Sequence, residues 1–155
     1  MDIQKHNELM RLAMQEAAKA AEEGNYPFGA VMTDADGLVL VAAHNTQVTD
    51  RDPTAHAEII LIRRLAREYD EEQFNRFTLV SNAEACSMCF SAAIKAGIRT
   101  FVFGAPSEPH MDPYLTAEEV ARHSLSPLDI TYGVLLDDCV QQIKDIRERQ
   151  GRLGQ

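Results

Sequence analysis

The sequence predicts an α/β fold: a three-layer α/β/α sandwich built on a five-stranded mixed sheet. Two kinds of segment carry this expectation, together with their order. Stretches with apolar residues three or four positions apart read as helices, and short runs rich in Val, Leu, Ile and Ala read as strands. A hairpin comes first and alternating helices and strands follow it. Hairpins make antiparallel neighbours, whereas a strand–helix–strand crossover makes parallel ones, so the sheet is mixed and carries helices on both faces.

Residues from about Ile3 to Glu23 form the first expected helix, with Met10, Met14, Ala17 and Ala21 recurring along one face and Gly24-Asn25 ending it. Phe28 to Thr33 and Leu38 to Ala43 are expected strands, joined by the hairpin turn Asp34-Ala35-Asp36-Gly37. Asp52-Pro53-Thr54 supplies a turn and a helix-capping residue for a second helix over Ala55 to Arg67. A short strand at Phe77 to Ser81 precedes a helix from Cys86 to Lys95, stopped by Gly97. Thr100 to Phe103 is a further strand, Thr116 to Arg122 a short helix and Ile130 to Leu135 the last strand. A final helix runs from Asp137 to Arg149, with Val140, Ile143 and Ile146 at three-residue spacing. The helix before the last strand lets the final two strands run parallel.

The chain of 155 residues lacks repeats and low-complexity linkers and is expected to form one domain, 1–155. Its net charge of −9 argues against broad nucleic-acid contact, which rests on clustered Lys and Arg. The one basic-looking stretch, Lys144-Asp145-Ile146-Arg147-Glu148-Arg149, is interrupted by acids and reads as a solvated helix face. No apolar run approaches the ~20 residues of a membrane span, and the N-terminus has no apolar signal-peptide segment. With three cysteines, too few for a disulfide framework, a cytoplasmic location is expected.

The chemistry concentrates in His56-Ala57-Glu58 and, 30 positions after the histidine, Cys86-Ser87-Met88-Cys89. One imidazole and two closely spaced thiols suit Zn²⁺ with three protein ligands and an open fourth position, as a catalytic zinc requires. Glu58, two residues from the ligand histidine, is placed to move protons. Cys86-x-x-Cys89 alone would equally suit a redox pair, and Glu58 alone could be a first-turn carboxylate favoured by the helix dipole. Their combination favours zinc. Residues two apart on a regular helix point in nearly opposite directions, so His56 and Glu58 share a site only at a helix start. Both motifs are therefore expected at helix N-termini, whose partial positive charge favours thiolate.

Phe28-Gly29-Ala30, Asn45, Asp52-Pro53-Thr54-Ala55-His56-Ala57-Glu58 and Glu84-Ala85-Cys86-Ser87-Met88-Cys89 resemble, in order and spacing, the cytidine deaminase-like superfamily, in its branch of nucleobase and tRNA-adenosine deaminases. One departure is Ala85, where the family usually has proline; proline fixes φ and is no ligand, so the metal chemistry is expected to survive. The resemblance implies a zinc-dependent hydrolase in which Glu58 relays protons between water, the ring and the departing amine. It further implies that the Ala57 N–H and the Asn45 side chain hold the base edge, with Phe28 against the ring.

Outside the motifs, the proline-rich loop Pro106 to Tyr114 follows a strand at the sheet end where α/β folds put ligands. It reads as a surface loop or as a substrate lid using His110 or Asp112. Cys139 is expected to be buried and apolar in role, and alternation should turn His44 away from the site. The apolar second helix, with Ile59, Ile60, Leu61, Ile62 and Leu65, together with the resemblance, suggests a homodimer. The expected substrate is a small aminated heterocycle, with a guanine-like free base as first guess. Adenosine in tRNA and cytosine or cytidine are alternatives within the same chemistry. A CxxC redox protein is the alternative outside it.

Overall fold

Asp2 starts the first helix by accepting the Lys5 N–H on its carboxylate at 2.8 Å, and α1 then runs over Ile3–Glu22. The computed structural model describes residues 1–108 and 115–152. Strands β1 (Gly29–Thr33) and β2 (Val39–His44) pair antiparallel. Asp34 organises the turn between them: its carboxylate accepts the N–H groups of Asp36 and Leu38, and Gly37 takes a positive φ of 82°.

Helix α2 covers Ala57–Leu65, a 3₁₀ helix Glu71–Arg76, and β3 Thr78–Ala83. The 3₁₀ helix has no counterpart in the sequence-based expectations. Helix α3 spans Ser87–Ala96 and ends as expected at Gly97, which takes φ 111°. Then come β4 (Thr100–Ala105), α4 (Ala117–Arg122), β5 (Asp129–Thr131) and α5 (Leu136–Arg149).

The five strands lie in the order β2-β1-β3-β4-β5, with β3, β4 and β5 parallel and the β1–β2 and β1–β3 pairs antiparallel. This is the mixed sheet the segment order implies, with helices on both sides. Alternation along the strands splits the core in two. Ala30, Met32, Leu79, Phe101 and Phe103 face one layer with Leu61, Phe90 and Ala93 from α2 and α3. Val31, Val80 and Val102 face the other, with Leu9, Met10 and Ala13 from α1 and Cys139 and Ile143 from α5. Phe90 meets Phe101 edge-on at 4.7 Å, an arrangement that adds to area burial. At the start of β1, a Cβ on Gly29 would run into the backbone of Ala13 and Ala17, so this glycine lets α1 lie directly on the sheet.

Three expectations need correcting. The last strand ends at Thr131 rather than Leu135, because Gly133 (φ 71°) and Leu135 (φ 49°) turn the chain away and Val134 N–H bonds back to Phe103 O. Thr54 does not cap α2; its hydroxyl donates to Asp52 at 2.7 Å, and His56 holds the N-cap position. The basic stretch near the C-terminus is not wholly solvated either, since Arg147 is only 6% exposed.

Candidate metal centre and cavity

His56 and Cys86 occupy equivalent places, the N-cap positions of α2 and α3, each in extended backbone and with no side-chain capping hydrogen bond. An N-cap side chain ordinarily folds back onto the helix start. Here both point instead toward a common space. Cys89 stands three residues after its N-cap, the offset at which a capping box brings two side chains together. Glu58, in the first turn of α2, is 6% exposed, and Ser81 on β3 donates to its Oε1 at 3.3 Å.

Ligand atoms of His56, Cys86 and Cys89 all lie within 4.8 Å of one another. Cys86 Sγ is 3.6 Å from His56 Nδ1. That separation matches the ~3.6 Å edge of a tetrahedron with Zn–S near ~2.3 Å and Zn–N near ~2.0 Å. The residues therefore fit Zn²⁺, with one coordination position left open. A redox reading of the two cysteines would not account for the imidazole beside them.

Electrostatics favour the same reading. The Cys86 thiol is lowered to about 4, chiefly by the hydrogen bond from the Cys89 thiol and then, against burial, by His56. Cys89 is correspondingly pushed up, by that same bond and by burial. One thiolate of the pair is thus stabilised before any cation arrives. Burial alone would lower the His56 imidazole, but the Cys86 side chain and the Glu58 charge outweigh it and raise it. Burial lifts the Glu58 carboxyl above the ordinary glutamate range, as suits a group that both accepts and gives protons.

His56, Glu58 and Cys86 open onto a cavity of about 280 Å³. Tyr26, Phe28, Gln47, Ala83, Glu84, Ser107 and Arg147 complete its lining. Phe28 is thus on the cavity surface. Asn45 is buried one step behind: its Nδ2 donates to Gln47 Oε1 at 2.6 Å, its Oδ1 accepts the Gln47 N–H at 3.0 Å, and Gln47 is the residue on the cavity surface. Ala57 is fully buried as the first residue of α2. His110 and Asp112 lie outside the described residues. His44 does turn away, between Glu16 (3.0 Å) and Glu23 (2.9 Å). Cys139 is buried against Val134 O, and burial raises its thiol to about 11.

Several residues of this centre escape sequence reasoning. Asn82, fully buried in β3, accepts the Gly29 N–H at 2.9 Å and donates to Pro27 O at 3.0 Å, which pins the Phe28 segment. Asn25 accepts the N–H groups of Val48 and Thr49 at 3.0 Å each and ties the Tyr26 and Gln47 walls together. The end of α5 and the residues after it pack on the same segment: the Arg147 guanidinium lies over the Phe28 ring at 5.6 Å, Gln150 donates to Asn25 O, and Arg152 lies over Tyr26 at 4.6 Å. Asn82 lies one residue past the expected strand end at Ser81, and asparagine is uncommon inside strands, a signal that could have flagged it. Nothing in the local pattern singles out Arg147.

Residues 3–105 match the family model of the cytidine and deoxycytidylate deaminase zinc-binding region. The chain is 31% identical over 149 residues to the tRNA-specific adenosine deaminase of Haemophilus influenzae, covering 92% of this chain and 83% of that one. It is 31% identical to the tRNA-specific adenosine deaminase of Bacillus subtilis, covering 84% and 81%. Among solved structures, a deaminase studied for A-to-I editing at the wobble position of transfer RNA superposes with TM-score 0.73 at 29% identity, covering 87% of this chain and 98% of that one. A variant protein in complex with 8-azaguanine superposes with TM-score 0.77 at 27% identity, covering 91% and 84%. The fold is shared as well by the guanine deaminase of Nitrosomonas europaea, with TM-score 0.76 at 23% identity over 92% and 86% of the two chains.

Proposed function

We propose, from the premise that this chain belongs to the zinc-binding cytidine and deoxycytidylate deaminase family, that its substrate is a small aminated heterocycle, a guanine-like free base foremost. The chain is a hydrolytic deaminase by that membership. The observation that carries the narrower reading is the cavity of about 280 Å³, in which Tyr26, Phe28 and Arg147 share the walls with His56, Glu58 and Cys86. That volume is at the small end for ligand sites and suits one ring system. The chain's charge of −9 also weighs against an extended phosphate backbone as partner.

His56, Cys86 and Cys89 would hold the Zn²⁺, which supplies Lewis-acid activation of water at neutral pH. Glu58 takes a proton from the attacking water and delivers it to a ring nitrogen of the base. The water oxygen bonds to the ring carbon that bears the amine. Glu58 then carries the proton of the new hydroxyl to the amine nitrogen, the C–N bond breaks, and ammonia leaves with the carboxylate restored. Ser81, donating to Glu58 Oε1, orients the carboxyl for both transfers. Phe28 packs against the ring, and Asn45 acts through Gln47.

A second reading, deamination of adenosine in tRNA, is favoured by the 31% identity to two tRNA-specific adenosine deaminases. Cytosine is a further candidate, a probable cytosine deaminase of Schizosaccharomyces pombe being 34% identical over 102 residues. Ammonia release from zinc-loaded protein, measured across free bases, nucleosides and tRNA, separates these. Faster turnover of guanine or a related free base is expected; kcat/KM highest for tRNA would overturn the reading. We further read residues 1–155 as one deaminase domain, working in the cytoplasm as a homodimer. Three free cysteines suit a reducing compartment.

A further inference from the structure

Gln47 joins the cavity lining from the turn after β2, and its side chain is held from behind. Asn45, 1% exposed, accepts the Gln47 N–H on Oδ1 at 3.0 Å and donates from Nδ2 to Gln47 Oε1 at 2.6 Å. A backbone N–H can only donate, so Oδ1 must face it and Nδ2 must face the Gln47 side chain. That in turn requires Oε1 there, because an amide nitrogen would set donor against donor. Each side chain thus fixes the other, and the polar group that Gln47 has left is its Nε2 donor.

The backbone that carries Gln47 is fixed as well. Asn25 Oδ1 accepts the N–H groups of Val48 and Thr49 at 3.0 Å each, and Gln47 O accepts the Asp52 N–H at 3.1 Å. Among the described residues Gln47 Nε2 has no hydrogen-bond partner, and it is not sealed from solvent. Other lining groups are less directional in this sense. Tyr26 and Ser107 carry hydroxyls that turn to donate or accept, and Glu84 offers acceptors, one of them taken by the Ser107 N–H at 2.6 Å. A donor held in one direction discriminates between ligands that bring it an acceptor and ligands that do not.

We infer that Gln47 is a specificity-determining residue whose Nε2 donates to an acceptor on the heterocycle, a ring nitrogen or an oxo oxygen, and that Asn45 is the positioning residue that keeps this amide donor-outward. The role of Gln47 rests on the free-base reading of the site, which puts the acceptor on the ring. Asn45, which by resemblance would hold the base edge itself, has both polar side-chain atoms engaged by Gln47.

The test measures Kd by calorimetry in a zinc-loaded Glu58→Gln parent, in which turnover is too slow to consume the ligand. Guanine is compared with 3-deazaguanine and 7-deazaguanine, each with one ring nitrogen replaced by C–H, and with 2,6-diaminopurine, in which an amino group replaces the oxo oxygen. One of these changes should weaken binding by ~3–10-fold, the range of one hydrogen bond. Gln47→Leu should weaken guanine binding by a similar ~3–10-fold and abolish that one preference, with the others and the zinc content unchanged. Gln47→Glu keeps an acceptor for Asn45 Nδ2 and sets an oxygen where Nε2 stood, so guanine should bind at least ~10-fold more weakly. Asn45→Asp loses the Nδ2 donor and lets the Gln47 amide turn over, which should remove the same preference. Combined with Gln47→Leu it should add nothing, because Asn45 acts only through Gln47.

No preference among the four bases in the parent, equal losses for all four in Gln47→Leu, or a guanine Kd within about twofold of the parent in both Gln47 variants overturns the inference. So do additive effects of Asn45→Asp and Gln47→Leu, which would return the direct contact to Asn45. A preference for adenosine over 2′-deoxyadenosine that Gln47→Leu abolishes, with the ring preferences intact, would assign the donor to a sugar oxygen and overturns it too. Ammonia release with Glu58 intact tests the free-base reading separately, since the ring preferences are read from binding alone. Absent release from every base sinks that reading, and absent binding of every base sinks both. Gln47→Glu preserves the Asn45 bond, so the test stands if Gln47→Leu disturbs the fold.

Discussion

At the scale of single residues, the centre is built by denying two N-cap side chains their usual work. His56 and Cys86 both sit where a side chain would satisfy a helix start, and both point instead at Cys89 and each other. Changing Cys86 and Cys89 together to alanine removes two of three ligands, and zinc content should fall from about one equivalent to near zero by metal analysis. Glu58→Gln keeps shape and removes the proton acceptor. It should retain zinc while kcat falls by at least ~10²–10⁴-fold, and near-normal turnover would take Glu58 out of the mechanism. These residues were legible in the sequence because their types and spacing have few other uses. Asn45, named from the resemblance, is buried and bonded to Gln47, which lines the cavity; Gln47 lies in the turn after β2, where no periodic pattern marks it. Arg147 was hidden because a helix of mixed charges looks solvated whichever single residue turns inward.

At the scale of elements, α1 is tied to β2 through a polar cluster in which Glu16 takes hydrogen bonds from Lys19 at 2.7 Å and His44 at 3.0 Å. Burial pushes the Glu16 carboxyl up, but those two partners outweigh it and hold it below the ordinary value of 4.5. A carboxyl depressed in the folded state stabilises the fold above its ordinary pKa and loses that contribution as pH falls through the lowered one. Glu16→Gln should therefore lower the melting temperature by about 2–4 °C at pH 7 and by progressively less below pH 4.5, followed by thermal denaturation. An equal deficit at pH 3 would mean that packing, and not charge, accounts for the effect. Element order and the parallel β4–β5 pair were readable from periodicity and connection length. The 3₁₀ helix at Glu71–Arg76 was not, since a short polar turn has no periodic apolar face. The end of β5 also escaped notice, because it is set by backbone turns at Gly133 and Leu135 inside an apolar run.

For the whole molecule, α2 carries apolar surface beyond what its own core uses. Leu61 and Leu65 are buried, whereas Ile59, Ile60 and Ile62 remain partly exposed, and Met88 on the neighbouring α3 is 37% exposed. Apolar side chains left partly exposed on neighbouring helices suit a self-complementary contact between two copies. Sedimentation at micromolar concentration is expected to give a dimer, and a monomer there would count against it. Among the described residues no helix is long and apolar enough to cross a membrane.

The three metal-binding side chains and Glu58 all fall between residues 56 and 89, inside the segment 3–105 that matches the family model. Helix α5 lies outside that segment, supplies no ligand of the His56–Cys86–Cys89 group, and yet walls the cavity through Arg147. The metal-binding group and one wall of the cavity beside it therefore come from separate stretches of chain. Such a division makes the last helix an exchangeable cassette. Grafting the α5 cavity residues of another deaminase onto this scaffold should redirect the choice of base while metal affinity and the proton relay stay as they are.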